Sequence, residues 1–282
     1  MNLQNILSEI EKVDPDLEER MGSRRSALRD FAHLGGKVAL TALPLALGSF
    51  FNKSYGQSTN ATVLEILNYA LTLEYLEAEF YATALTKTSI TFPTDAAKAA
   101  ITKIKNDEAA HVTFLKTAIA GAGGTAIAKP TFNFENNATF GNVFLNYTTF
   151  LAVAQAFEDT GVRAYKGRAK ELVKGGAYLT AALNIHSVEA RHASHIRQMR
   201  RAAAGGGQTA MKPWITGAND SGIGASVNAV YAGEDNTVQG GVTITNLAGV
   251  SGNISVNAAT EAFDEPLSKA EVLVIANLFI TA

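Results

Sequence analysis

Residues 186–195 read HSVEARHASH, which sets His186, Glu189, His192 and His195 at every third position of a helix-forming stretch. The chain has five histidines, so three within ten residues is a concentration that asks for a cause. On a 3.6-residue period the apolar line here runs Tyr178, Ala182, Ile185, Glu189, His192, Ile196, Met199. A carboxylate and an imidazole thus stand one turn apart on the side a helix normally buries. A second line, Ile101, Ile104, Glu108, His111, Leu115, is interrupted in the same way. Two more are each broken by one carboxylate: Leu67, Leu71, Glu74, Ala78, Tyr81, Leu85, and Tyr147, Leu151, Ala154, Glu158, Gly161, Tyr165.

The four lines form two copies of one plan, Glu-x6-Tyr followed by Glu-x-x-His. Burying an isolated carboxylate costs several kcal/mol even after relaxation. Four of them converging in one core require protonation, cationic partners or bound metal. Basic partners are absent from these lines, since Arg191 and Lys105 fall on other faces. Two divalent cations would balance four carboxylates, with His111 and His192 as neutral nitrogen ligands. Oxygen and nitrogen donors without sulfur suit iron or manganese. The candidate ligands are therefore Glu74, Glu108, His111, Glu158, Glu189 and His192. Glu77, one turn after Glu74, is the rival for that position. Ala78 and Gly161 leave room for metals or a bound oxidant. Tyr81 and Tyr165 are read either as hydrogen-bond partners of ligand carboxylates and carriers of electrons, hence catalytic candidates, or as plain core aromatics. His186 and His195 are expected beside the site or at the surface, and Asp107, Glu79 and Asp159 in solvent.

Four helices must hold these residues. Apolar periodicity runs from Asn60 to Thr86, and Phe92-Pro93-Thr94-Asp95 restarts the chain with Thr94 as N-cap. A second helix runs to about Ala120, a third from about Gly141 to Lys174, and a fourth from about Tyr178 to Ala204 after Gly175-Gly176. The connection 121–137 is too long for a tight turn. Short link, long crossover, short link gives a four-helix bundle over 57–204. Residues 205–260 are glycine-rich and poor in charge, with VTITNL and NISVNA alternating like short strands. The tail DEPLSKAEVLVIANLFI reads as a last helix with a Ser268/Glu271 capping box. The expected architecture is an all-α core, a four-helix bundle with one long crossover, plus a partly β extension over 205–282 packed on it and ending in a helix.

Composition narrows the function classes. At 47% apolar residues a sizeable core is available, and a net charge of −2 gives no bulk attraction for nucleic acid. No cysteine is present, which excludes disulfides, thiolate metal sites and cysteine nucleophiles. Near the start, Arg24-Arg25 precedes the apolar run VALTALPLALGSFF at 38–51, too short for a span of roughly 20 residues but suited to a signal core. Small residues in SYG permit a cut after Gly56. The pair resembles a twin-arginine export signal, although Ser26 and Leu28 depart from its usual sequence and the leader ahead of it is acidic. Residues 1–56 are read as an export signal directing the protein to the periplasm or cell envelope, or as a membrane anchor if retained.

The ligand pattern resembles the ferritin-like superfamily, whose di-iron carboxylate members take one Glu from each of two helices and Glu-x-x-His from each of the other two. More narrowly, ALTLEYLEAEFYATAL (70–85), KPWI (212–215) and FDEPLSKAEVLVIANLFI (263–280) are similar to exported bacterial ferritin-like proteins related to plant desiccation-related proteins. The resemblance implies two iron ions, or manganese, held by the six ligands named above. It implies metal ions and dioxygen or peroxide as partners, with Fe(II) oxidation or reduction of dioxygen or peroxide as the reaction. A non-enzymatic stress-protection role with a structural or vestigial metal, and a dimanganese catalase, stay open beside it. A homo-oligomer is compatible with the fold. A hollow storage shell is disfavoured by the long segment after the fourth helix.

Overall fold

A computed structural model describes residues 60–172, 176–204, 211–218, 222–249 and 252–281. Arg24-Arg25, the apolar run 38–51 and the cut after Gly56 lie outside the described residues, as do Gly175 and the Gly205-Gly206-Gly207 run. No described helix is long and apolar enough to cross a membrane.

Four long helices carry the periodic lines: α1 (Asn60–Ala84), α2 (Asp95–Gly121), α3 (Tyr147–Ala169) and α4 (Ala177–Ala203). Thr94 caps α2, its hydroxyl accepting from the Ala97 amide, and Asn146 caps α3 by accepting from Thr149. The third helix thus starts six residues after the position expected for it. Asn137, Asn142 and Asn146 each bind backbone amides just ahead of themselves, which holds the chain in turns until Asn146. It also ends early, passing from Ala169 into a 3-10 turn at Lys170–Leu172. α1 packs on α2 and α3 on α4, and contacts between α1 and α3 and between α2 and α4 close the bundle. At one end of its interior, Leu67 and Ala70 meet Leu115, Ala164 and Ile185. Relative to the carboxylates these residues come earlier on α1 and α4 and later on α2 and α3. Helices α2 and α3 therefore run in the same direction, and only a crossover spanning the bundle can join them.

That crossover, residues 122–146, contributes to the core. Phe134 meets Phe80 edge-on and Phe144 stacks on it, and Phe80 also meets Phe150 and Phe157, with centroid separations of 4.9–5.6 Å. Its strand β1 (Thr131–Phe132) pairs antiparallel with β6 (Ile280–Thr281). Phe279, just ahead of β6, closes the cluster on Phe157 at 4.8 Å.

The extension is less β than its alternation suggests. After a 3-10 segment, Ala225–Tyr231, come the hairpin β2 (Val238–Gln239) and β3 (Val242–Thr243), then a 3-10 turn at Ile244–Asn246, then β4 (Ala248–Gly249) paired with β5 (Gly252–Asn253). Gly240 and Gly241, at φ 56° and 82°, make the two-residue turn that matches strand twist. Only Val242–Thr243 of VTITNL is strand. In NISVNA the Ser255 hydroxyl accepts from the Ala258 amide and starts helix α5 (Val256–Glu261) instead. The final helix α6 (Lys269–Ala276) begins at Ser268 with the expected capping box.

Helix α3 holds this extension. Fully buried Arg163 donates from Nε to the Glu265 carbonyl (2.7 Å) and from Nη2 to the Ala232 carbonyl (2.5 Å), and also bonds the Val230 carbonyl and pairs with Glu234. The Leu267 amide donates to the Arg163 carbonyl, and at Gly167 the backbone comes so near that a Cβ would lie 1.9 Å from the Leu267 oxygen. Asp159, expected in solvent, is buried. It pairs in bidentate fashion with Arg197 and accepts a hydrogen bond from Tyr231, whose hydroxyl also accepts from Gln155. A carboxylate paired this way needs no water.

Candidate metal centre

Glu74 on α1, Glu108 on α2, Glu158 on α3 and Glu189 on α4 are all fully buried. Each lies on the line its helix turns inward, and so the bundle's packing brings them together. Their oxygens and two ring nitrogens form two groups, each compact enough to surround one ion: Glu74, Glu108, His111 and Glu189, and Glu108, Glu158, Glu189 and His192. Glu108 and Glu189 belong to both. In the first group His111 Nδ1 lies 3.1 Å from Glu74 Oε2, 3.0 Å from Glu108 Oε2 and 3.3 Å from Glu189 Oε1. In the second His192 Nδ1 lies 2.8 Å from Glu108 Oε1 and 3.3 Å from Glu158 Oε2. Glu108 thus turns one oxygen to each histidine.

The second group's contacts are close without being hydrogen bonds. Among the described residues His192 Nδ1, Glu108 Oε1, Glu158 Oε2 and both oxygens of Glu189 are buried with no hydrogen-bond partner. One ligand atom from each of these residues lies within 4.8 Å of the others, a spacing that allows one ion to be shared among them. Unsatisfied buried acceptors are rare because each forfeits its hydration. A cation within each group would satisfy them all, and the donor set of oxygen and nitrogen without sulfur fits a hard or borderline metal such as iron or manganese.

Charge gives the same answer. Burial pushes the Glu189 carboxyl well above the usual carboxylate range, with Glu108 and Glu74 adding to the rise. Burial also raises Glu108 and Glu158, while His192 opposes it in both. His192 is lowered by burial but raised more by Glu158 and Glu108, to about 11, and His111 is displaced upward in the same way by Glu108, Glu189 and Glu74. The pocket calls for positive charge, which either protons or metal ions supply.

The oxygens left over are held from behind, crosswise. Tyr81 of α1 donates to Glu158 Oε1 of α3 at 2.5 Å, and Tyr165 of α3 donates to Glu74 Oε1 of α1. Burial, then the facing Glu, keeps both phenols protonated. His192 Nε2 meets Asp107 Oδ2 at 3.2 Å, which fixes the tautomer that leaves Nδ1 free for a ligand. Asp107, expected in solvent, is therefore half in the site and also bonds Lys103. Its one sequence cue was its place beside Glu108.

Glu77 is buried but joins neither group. Burial and the charges of Glu189 and Glu108 push its carboxyl well above the usual carboxylate range. Gly161 gives it room, since a Cβ there would lie 3.2 Å from Glu77 Oε1 and 3.4 Å from Glu189 Oε2. His195 is exposed, and His186 Nδ1 meets the Val162 carbonyl at 2.9 Å, so neither reaches the carboxylates.

A family model for the ferritin-like domain matches residues 62–202. The chain belongs to that family. No curated protein sequence matches it. The matched range contains every residue of both clusters, and the ferritin-like bundle with its buried Glu/His cluster is compatible with a metal site. Residues 211–281 lie beyond the match, and the Arg163 and Asp159 contacts to them are additions to the ferritin-like core.

Proposed function

We propose that this ferritin-like protein binds two iron ions, one per cluster, and oxidises Fe(II) with dioxygen or peroxide. The observation that carries the reading is that Glu108 and Glu189 serve both clusters while Glu74 with His111, and Glu158 with His192, serve one each. Two Fe(II) ions held by these residues would each supply one electron to dioxygen or peroxide and leave as Fe(III). The chain's own residues do the rest. Tyr81 and Tyr165 fix the outer oxygens of Glu158 and Glu74, Asp107 orients His192, and the surrounding bundle excludes water. Burial favours the protonated form of the Glu77 carboxyl, which lies beside Glu189. The resemblance of the N-terminal stretch to an export signal supports placement in the cell envelope, which fractionation of cells carrying the wild-type chain or Arg24→Lys/Arg25→Lys would test.

The deciding experiment is anaerobic titration with Fe(II) followed by air. Binding that saturates near two irons per chain, then an oxygen-dependent absorbance change, is expected. Iron that stays ferrous in air would sink the reading, and manganese in the native protein with rapid oxygen release from peroxide would replace it with catalase chemistry.

A further inference from the structure

One turn from the ligands, on the Glu74 side, the bundle interior is not filled. Ala70 precedes Glu74 on α1, Leu115 follows His111 on α2, and Ile185 precedes Glu189 on α4, each by four residues or about 6 Å of helix. All three line one cavity, which Tyr165, the partner of Glu74, closes on the side of α3. Four alanines, Ala70, Ala164, Ala181 and Ala182, stand around it among larger apolar side chains such as Leu115 and Ile185. On the far side of the site Tyr81 meets Phe80 and Phe150 edge-on.

We propose that this chamber holds a small apolar gas, dioxygen, next to the metal centre. The inference rests on the di-iron reading for its purpose but not for its existence. The free space admits a guest of about one or two heavy atoms, and the lining is almost wholly apolar. The Arg168 guanidinium at the wall is committed to Glu65 and Glu171 and lies over the Tyr69 ring. The hydroxyls of Tyr69 and Tyr178 are the polar exceptions in a lining that is otherwise hydrocarbon, a surface suited to an apolar diatomic. Interiors normally close such gaps, because unfilled space forfeits dispersion contacts on every wall. Small side chains contributed by three of the four helices keep this one open.

Xenon serves as the probe, being apolar, similar in size and visible without iron. Crystals of the full chain pressurised with xenon should show it in the chamber, and Ala182→Leu or Ala70→Leu should exclude it. In the iron-loaded protein the same variants should raise the KM for dioxygen several-fold and leave oxidation by peroxide unchanged, because peroxide is polar and has no use for an apolar store. The two variants come from different helices, so misfolding of one leaves the other to decide. A wild-type chamber without xenon, an ordered water on the Tyr69 hydroxyl in its place, or filled variants with unaltered dioxygen dependence would overturn the proposal. Xenon bound in a protein that never oxidises iron would remove the di-iron reading and leave the gas site standing. Iron oxidation without xenon binding would do the reverse.

Discussion

The α1–α2 pair and the α3–α4 pair bring equivalent residues to the centre and are otherwise unlike. Inside, each contributes a Glu, a Glu-x-x-His and a Tyr that reaches across to the other pair's carboxylate. Outside, α2 buries only one face, from Ile101 to Ile119, whereas α3 is buried all the way round from Val153 to Tyr165. The difference is the extension, which lies on α3 and holds to it by Arg163, Asp159 and Gly167. The symmetry lies in the buried Glu/His cluster, and the asymmetry in a segment that uses α3 as its floor.

The sharpest way to break the central equivalence is to remove a shared ligand. Glu108→Gln or Glu189→Gln should abolish nearly all metal binding by elemental analysis, whereas Glu158→Gln should cost about half. At alkaline pH the same shared-ligand variants should stabilise the metal-free protein by several degrees, since each removes a carboxyl whose ionisation burial opposes, and ~1 kcal/mol moves Tm by roughly 2–4 °C in a large domain. A metal-free Tm that falls would mean the carboxylates are not held apart by repulsion.

The asymmetry is broken at Arg163. Arg163→Ala leaves buried Glu234 and three carbonyls without their donor and should cost about 3–5 kcal/mol, read as a fall in Tm on the order of 10 °C. Calorimetry checks it, and an unchanged Tm would show that the extension adds nothing to the bundle's stability.

Smaller effects refine the comparison. Asp107→Asn should weaken one metal position about 10–100-fold and spare the other, because only His192 has this support. Tyr81→Phe and Tyr165→Phe should each cost about 1 kcal/mol and resemble one another, measured by metal-release kinetics. Unequal losses would place the asymmetry inside the site.

Acidity gives the mildest test. Carboxyls raised by burial, as at Glu189 and Glu158, stabilise the fold below their unfolded pKa and lose that contribution as pH rises through the folded value. His192 contributes below its unfolded value near 6.5 and loses it as pH rises toward about 11. The metal-free protein should therefore melt lower at about pH 9 than at about pH 6, and added metal should reverse the trend because its ligands must be deprotonated. Scanning calorimetry of both forms distinguishes the cases.

What could be read from the chain divides along the same line. Glu74, Glu108, Glu158 and Glu189 announced themselves because each interrupts an apolar repeat of helical period, a local signal. Asp159 and Asp107 did not. A charged residue outside the repeat looks solvated until its partner is known, and Arg197 and His192 are far away in sequence. The strand expected in NISVNA stops at Asn253 for a local reason: one serine hydroxyl that caps a helix outweighed an alternation only a few residues long. The path of the tail was invisible, since it depends on a bare stretch of α3 at Gly167 that no periodicity marks.

That bare stretch sets an order of events. Arg163 and its acceptor at Glu265 are 102 positions apart, so α3 leaves the ribosome long before the segment that will lie across it. Until then the nascent helix exposes an ungrasped guanidinium and a seat shaped for a carbonyl that has not been translated. Contacts of such long range form late and slowly. A polypeptide interrupted before Glu265 would lack both the carbonyl that Arg163 Nε binds and the Leu267 amide that binds back to it, leaving that side of α3 uncovered.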